Sequence, residues 1–378
     1  MQDGKELTVV HVLDSLAPGG LENGVVNVAR RLQGHGFNIH AACLRFRGDF
    51  ADRMPQQDQI VVLGKKAGFS LVAAFRLWRY LKSSRADVVH THNLGTLIYA
   101  VLATCGGVLW PIVHGEHGQI QKFDLTPKRM RQRRLFFRCC KSIHVVSSSL
   151  RDNLVALGLI DPLRITVTPN GVDCDRYAPA ESKARAREKI GFAAECQVVG
   201  VVGRLVALKR HIMLMEAFAE LAPSMPELRL LIVGDGGDDK DQILAAMRGN
   251  AFADRIVWAG HQSDLKPWYQ AMDVLAAPSE IEGLSNAVLE AMACGVPVLA
   301  HSACGNAEVI EDGESGFLRR LDSADELAHE IAGALRDPTR VERVGKAARE
   351  TVRQRFSMEA MLDSYRKLYH SGVNHTHA

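Results

Sequence analysis

Short runs of valine, isoleucine and leucine alternate along the chain with longer stretches in which apolar residues recur every three or four positions. The apolar runs predict strands at Leu7–Leu13, Asn38–Leu44, Asp87–His90, Pro111–His114, Ser142–Val146 and Arg164–Thr168. The periodic stretches between them predict helices, as at Leu21–Gly34, Phe69–Ser83 and Ser149–Leu157. The strand runs are nearly all apolar, as expected when helices cover both faces of a parallel sheet.

The alternation breaks at "TPNGVDCDRYAPAES", Thr168–Ser182, which is rich in Pro, Gly, Asn and Asp and so predicts a linker. It then restarts. Strands are predicted at Gln197–Val202, Leu228–Val233, Arg255–Trp258, Val274–Ala277 and Pro297–Ala300, with helices at Arg210–Leu221, Asp239–Gly249, Ser285–Cys294 and Ala324–Leu335. The chain after Asp337 is helical in pattern, and a last helix is predicted to follow Ser357 as N-cap. The expectation is an α/β protein with two Rossmann-like, doubly wound parallel-sheet domains facing a central cleft. Residues 1–171 form the first domain, 172–356 the second, and 357–378 pack back on the first. Ligands of such sheets bind at the carboxyl ends of the strands.

Composition narrows this picture little. The 378 residues suit two domains, and a net charge of +3 gives no argument for nucleic acid. None of the eight cysteines forms a CxxC or CxxH pair, so small buried thiols in a reducing, cytoplasmic setting are expected rather than zinc or disulfides. Residues Asn93–Val113 carry no charge and are long enough to span a bilayer, but Gly106, Gly107 and Pro111 interrupt them; a buried helix (Leu94–Cys105), a turn and a buried strand are expected instead. The tail "HSGVNHTHA" is expected to fray rather than bind metal.

Candidate chemistry centres on "EIEGLSNAVLEAMACGVPV", Glu280–Val298. Glu282 lies in a loop marked by Pro278 and Gly283, Ser285 or Asn286 caps a helix, and Glu290 sits inside it. Eight helical residues advance roughly 12 Å, more than the about 5–9.5 Å between the carboxyls of a glycosidase pair. The two glutamates therefore suit an elongated ligand touched at two places. Between them a helix N-terminus favours phosphate. A nucleotide-sugar fits: sugar hydroxyls near Glu282, diphosphate at the backbone of Gly283, Leu284, Ser285 and Asn286, ribose near Glu290. A capped helix with two solvated glutamates fits the segment equally. In "VVGVVGRLVALKRH" a strand and glycine turn precede Arg204 and Lys209, the cations a diphosphate leaving group requires. "SLAPGGLENG" places Gly19 and Gly20 before another helix, without the G-x-G-x-x-G fingerprint. "PIVHGEHG" ends a buried strand with His114, Glu116 and His117, and a site role is expected for at least one of the histidines.

Taken in order, "APGGLE", "PIVHGEHG", "PNGVD", "VGRLVALKR", "VGDG", "PSEIEGLSNAVLEAMACGVPVLA" and "CGNAEVIEDGESGFL" resemble retaining glycosyltransferases of family four, which have the GT-B fold. The resemblance implies a nucleotide-sugar donor held mainly by the second domain, with Arg204 and Lys209 on its diphosphate, Glu290 on the ribose and Glu282 near the anomeric carbon. It also implies that His117, rather than His114, is the active-site histidine. The Gly19–Gly20 loop would lie over the donor phosphates, and the final helix, Met358–His370, would cross back onto the first domain. It further implies retention of configuration, a front-face displacement and no metal or other cofactor. The pathway resembled is bacterial exopolysaccharide or cell-surface glycan assembly, with a lipid-linked or oligosaccharide acceptor. Non-hydrolysing UDP-N-acetylglucosamine 2-epimerases share the fold and stand as the rival enzyme reading, and a non-catalytic nucleotide-sugar-binding protein as the third.

"TPKRMRQRRLFFRCCK", Thr126–Lys141, has seven basic residues, no acidic one, and interleaved apolar residues. Three readings stand: a helix on an anionic membrane at the inner face of the cytoplasmic membrane, a cationic surface for the acceptor, or a solvated face whose aromatics enter the core.

Overall fold

A computed structural model describes residues 6–120, 125–302 and 305–373. Cys304 of "CGNAEVIEDGESGFL" and His375 and His377 of the "HSGVNHTHA" tail lie outside them, as do the last residues of the 357–378 segment. The chain divides into two compact units, Met1–Asn170 with Glu359–Ala378, and Gly171–Met358.

The first unit is built on seven parallel strands: β1 (Leu7–Leu13), β2 (Phe37–Cys43), β3 (Ile60–Val62), β4 (Val88–His92), β5 (Ile112–Glu116), β6 (Ser142–Val145) and β7 (Ile165–Val167), in the order β3-β2-β1-β4-β5-β6-β7. Its helices are α1 (Gly20–Leu32), α2 (Leu71–Ser83), α3 (Asn93–Ala103), α4 (Pro127–Phe137) and α5 (Ser148–Ala156). The uncharged Asn93–Val113 stretch is thus an eleven-residue helix and a turn leading into β5. Among the described residues no helix is long and apolar enough to cross a membrane. Hydroxyls start several helices: Ser70 accepts from the Ala73 N–H (3.2 Å) and Ser147 from that of Leu150 (3.2 Å).

The second unit has six parallel strands: β8 (Gln197–Val202), β9 (Leu228–Val233), β10 (Ile256–Gly260), β11 (Val274–Ala277), β12 (Val298–His301) and β13 (Phe317–Arg319), in the order β10-β9-β8-β11-β12-β13. Around them lie α6 (Lys183–Lys189), α7 (His211–Leu221), α8 (Lys240–Gly249), α9 (Lys266–Ala271), α10 (Asn286–Ala293), α11 (Asn306–Val309), α12 (Ala324–Leu335) and α13 (Pro338–Arg355). Leu214 and Phe218 of α7 and Leu327 and Ile331 of α12 close one core with Leu230, Ile232 and Leu299 of the sheet. In both sheets the order reverses beside a central strand, so loops on either side of β1 and β8 diverge at their carboxyl ends and leave room there for a ligand.

α14 (Met358–Val373) returns the chain to the first unit, where Tyr369 is fully buried beside His11 and His90. Two strands escaped the sequence reading. β3 and β13 are three residues each and stand at sheet edges, where little periodicity can register, although β7, equally short and also at an edge, was found in Arg164–Thr168.

Candidate functional site

In the second unit the site is assembled from the loops after β8, β9 and β11. After β8 the chain turns at Gly203, and Lys209 lies on a short 3-10 turn, Ala207–Lys209. A Cβ on Gly234, after β9, would stand 2.0 Å from the Gly203 carbonyl oxygen, and its φ of +135° is glycine territory. The two loops therefore touch backbone to backbone, and the Lys209 stem passes over Gly203. Its ammonium reaches the carboxylate of Glu282, in the loop after β11, to which it donates. Lys209, Glu282 and Ser285 line one cavity with Ser279 and Asn306.

Ser285 is the N-cap of α10, yet its hydroxyl does not close on the first turn. The loop before it is held from the far side. The Gly305 N–H donates to the Glu282 carbonyl (3.3 Å), and the space where Gly305 would carry a Cβ is taken by the Gly283 carbonyl oxygen, 1.4 Å away. Arg204 is exposed, and its guanidinium has no hydrogen-bond or ion-pair partner among the described residues. Its carbonyl accepts from His211 Nε2 (3.1 Å) when that nitrogen carries the proton.

The reading of a capped helix with two solvated glutamates does not hold. Glu282 is half-buried in its ion pair, and Glu290 is buried. Tyr269 donates to Glu290 Oε2 (2.9 Å), and Tyr177 hydrogen-bonds the same carboxylate. Burial, with Glu290 as the next cause, drives both tyrosines far above the ordinary phenol range, so they remain donors. Glu290 is thereby held on a fixed rotamer, and it does not line the cavity of Glu282 and Lys209.

Besides the two tyrosines, two further residues were not singled out by sequence. Arg210 occupies the left-handed region (φ 53°) at the start of α7. It donates to the Leu321 carbonyl (2.5 Å) and to Glu280, tying the β8 loop to the β11 loop. Asn306 puts a buried Oδ1, without a hydrogen-bond partner among the described residues, beside the cavity. In hindsight the run "LKRH" carries the only hint of Arg210; Asn306 and the two tyrosines have none.

In the first unit Gly19 is the N-cap of α1 and Gly20 its first residue. β5 extends to Glu116, two residues beyond the predicted end, because Glu116 has buried partners: His114 Nε2 and Arg133 Nε, each at 3.4 Å. Burial alone would raise the carboxyl; His114 and Arg133 more than reverse this and hold it below the ordinary range. Arg133 is thus a buried partner of Glu116, and Arg134 donates to the Gly158 and Leu157 carbonyls. Phe137 is in the core. The remainder of the basic 126–141 segment is a mixed, mostly exposed face.

His114 is fully buried against Thr91, whereas His117 is half-buried and ends a hydrogen-bonded chain. The links are His144 Nε2 to His90 Nε2 (2.9 Å), His90 Nδ1 to Tyr369 Oη (3.1 Å), Tyr369 Oη to His11 Nε2 (3.1 Å), His11 Nδ1 to His92 Nε2 (2.9 Å) and His92 Nδ1 to His117 Nε2 (2.8 Å). A neutral imidazole has one N–H, so every link must run in the same sense. The tautomer that His117 shows at Nδ1 is therefore coupled to Tyr369 on the last helix. Asn93, at φ 63°, accepts from the His117 backbone N–H (3.2 Å) and fixes the turn.

These imidazoles make the first unit acid-sensitive. Burial, with His117 as second cause, pushes His11 down to about 3; His90, His92 and His144 lie well below the ordinary value through burial and then their neighbours. The unfolded chain takes up protons at these four near pH 6.5, while the native chain refuses them. The stability they confer is complete above about pH 6.5 and declines as pH falls, each by up to about 1.4 kcal/mol per pH unit. The urea midpoint of the first unit is expected to drop between about pH 7.5 and about pH 5 more steeply than in a His144→Phe variant; equal slopes would count against neutral burial.

Parallel sheets with glycine turns, a lysine and a helix N-terminus at the strand ends define a ligand-binding α/β protein of the GT-B class, whose solved members share this architecture. The family models agree: residues 18–176 match "Glycosyltransferase Family 4" and residues 196–337 match "Glycosyl transferases group 1". A D-inositol 3-phosphate glycosyltransferase of Actinosynnema mirum is 31% identical over 288 residues, 69% of this chain and 68% of the relative. The chain belongs to this glycosyltransferase family. The UDP-Gal:alpha-D-GlcNAc-diphosphoundecaprenol alpha-1,3-galactosyltransferase of Escherichia coli is 26% identical over 304 residues, 78% of this chain and 77% of the relative. Anabaena Alr3699/HepE in complex with UDP and glucose superposes with a TM-score of 0.85 at 21% identity, covering 96% of this chain and 99% of its own.

Proposed function

We propose that this protein is a retaining, metal-independent glycosyltransferase. It moves a sugar from a nucleotide-diphosphate sugar to the hydroxyl of a lipid-linked or oligosaccharide acceptor, in bacterial exopolysaccharide or cell-surface glycan synthesis. The observation that carries this reading is the Lys209–Glu282 pair at the N-terminal end of α10. A cation and a carboxylate already share one cavity there, beside backbone N–H groups suited to phosphate.

On donor binding Lys209 exchanges the Glu282 carboxylate for diphosphate oxygens, joined by Arg204 and by the N–H groups of Gly283, Leu284, Ser285 and Asn286. Glu282, released, accepts from hydroxyls of the sugar. Glu290, fixed by its tyrosines, accepts from the ribose. On the first unit His117 and the Gly19–Gly20 turn offer an imidazole and backbone N–H groups suited to ligand oxygens. The C1–O bond to the diphosphate breaks, charge collects on the leaving oxygen, and the acceptor oxygen bonds to C1 from the same face. Its proton passes to a donor phosphate oxygen. Lys209, Arg204 and the helix dipole stabilise the departing charge where a divalent ion would otherwise serve.

The relative named for UDP-Gal and the neighbour holding UDP and glucose support UDP-sugars as the first donors to test. A panel of UDP-, GDP- and ADP-sugars is expected to give one that raises Tm, by linkage of binding to folding. With that donor, transfer or slow hydrolysis should retain the anomeric configuration by NMR and persist in excess chelator. Isomerisation of the donor without acceptor would replace this reading by epimerisation, and activity that disappears with chelator would remove the metal-independent step.

A further inference from the structure

The outward face of α2 is built from two residue types that rarely share a solvated helix. Phe69, just before the helix, is 62% exposed, and Leu71, Val72 and Phe75 are 67%, 59% and 58% exposed. Ala73, Ala74, Leu77 and Leu81 form the opposite, buried face. At 100° per residue Leu71, Phe75, Arg79 and Lys82 fall on one side, with Val72 and Arg76 at its margin. The aromatic rings are braced in place: Phe75 stacks on Trp78 (5.5 Å) and Phe69 on Tyr99 (5.9 Å). Lys82 lies over Trp78 (5.7 Å) and Lys65 over Tyr99 (6.0 Å).

The charges carried by this segment have one sign. Between Asp58 and Asp87 the chain has six basic residues and no acidic one. Four large apolar side chains exposed to water on a segment whose own charges are all basic suit an occupant that is apolar within and anionic at its surface. A second copy of the chain fits poorly, because a two-fold contact would set the same cations against themselves. A layer of anionic phospholipid supplies both properties. Phosphate oxygens meet the lysine and arginine heads, while Phe69, Leu71, Val72 and Phe75 enter the boundary between headgroups and acyl chains.

We propose that α2 and the turn before it form a docking surface for an anionic membrane, so that the first unit rests on the bilayer through this helix rather than through the basic 126–141 segment. On α4 the apolar residues are divided between core and surface, and Arg133 and Arg134 are already engaged by Glu116 and by carbonyls. The docking is independent of the donor chemistry proposed above.

The test is co-sedimentation of the full chain with vesicles of phosphatidylcholine alone and of phosphatidylcholine with phosphatidylglycerol. Retention on the anionic vesicles is expected to exceed that on neutral ones by about tenfold or more and to fall as salt is raised. The double variant Val72→Glu, Phe75→Glu alters exposed positions only. It is expected to keep the wild-type Tm and donor-induced thermal shift while retention drops by about tenfold or more. Arg129→Glu with Arg131→Glu on α4 should lose much less. No retention of the wild type, equal loss from the α4 variant, or a wild-type dimer in ultracentrifugation that the α2 variant dissociates would overturn the proposal. A donor shift that fails in every variant would count against the transferase reading and leave the docking result standing.

Discussion

Replacing Lys209 by alanine is expected to lower sugar transfer by on the order of 10²-fold or more, the usual cost of removing one preorganised charge from a transition state. The cause is local. Lys209 sits on a tight turn, its stem is seated on Gly203, and its ammonium is aimed at Glu282 before any ligand arrives. Little side-chain freedom remains to be lost when a diphosphate takes the place of the carboxylate. The variant also leaves Glu282 uncompensated in a half-buried position, so that it repels the phosphates it would adjoin. Donor binding, read by thermal shift, should weaken less than kcat falls, since the leaving-group charge is fully developed only in the transition state. Unchanged turnover in a folded Lys209→Ala protein would end the role given to this residue.

Gly305→Ala is expected to be as damaging, though residue 305 touches no proposed substrate. Its added methyl would fall 1.4 Å from the Gly283 oxygen, and backbone cannot yield as a flexible side chain can. Either the turn before α11 or the Gly283–Leu284 loop must move by an ångström or more. Such overpacking typically costs about 1–3 kcal/mol of stability. A shift of that size in the loop bearing Glu282 is worth about 10²-fold in rate. Tm and kcat should therefore fall together. A variant with wild-type kcat would show that the 282–285 loop does not need this support.

The two doubly wound sheets were legible because all-apolar runs alternate with periodic ones, and the strands central to each sheet lie close to their predicted ranges. β3 and β13, three residues each at sheet edges, were missed, whereas the equally short edge strand β7 was found in the Arg164–Thr168 run. The loop positions around Lys209 and Glu282 could be named because glycine and proline mark the ends of strands. The pairing of those two side chains could not, since it depends on how the β8 and β11 loops fold toward each other. Tyr177 and Tyr269 illustrate the same limit: they lie 113 and 21 residues from Glu290, and Tyr269 reaches it through the packing of α9 on α10, Tyr177 from the segment before α6, its ring edge-on to Tyr269 (6.1 Å). Of the five histidines in the hydrogen-bonded chain only His117, in "PIVHGEHG", was singled out in the sequence, because a chain that closes through a tyrosine near the C-terminus has no linear signature.

That tyrosine bears on biosynthesis. The first unit needs residues 359–373, yet residues 171–358 are translated in between. At ordinary elongation rates of about 5–20 residues per second, the nascent sheet waits roughly 10–40 s for its last helix. Throughout that interval His11 and His90 lack the Tyr369 hydroxyl, and the strip that α14 covers is open to chaperones. The amino-terminal half is made first but is completed only when the carboxyl-terminal helix leaves the ribosome.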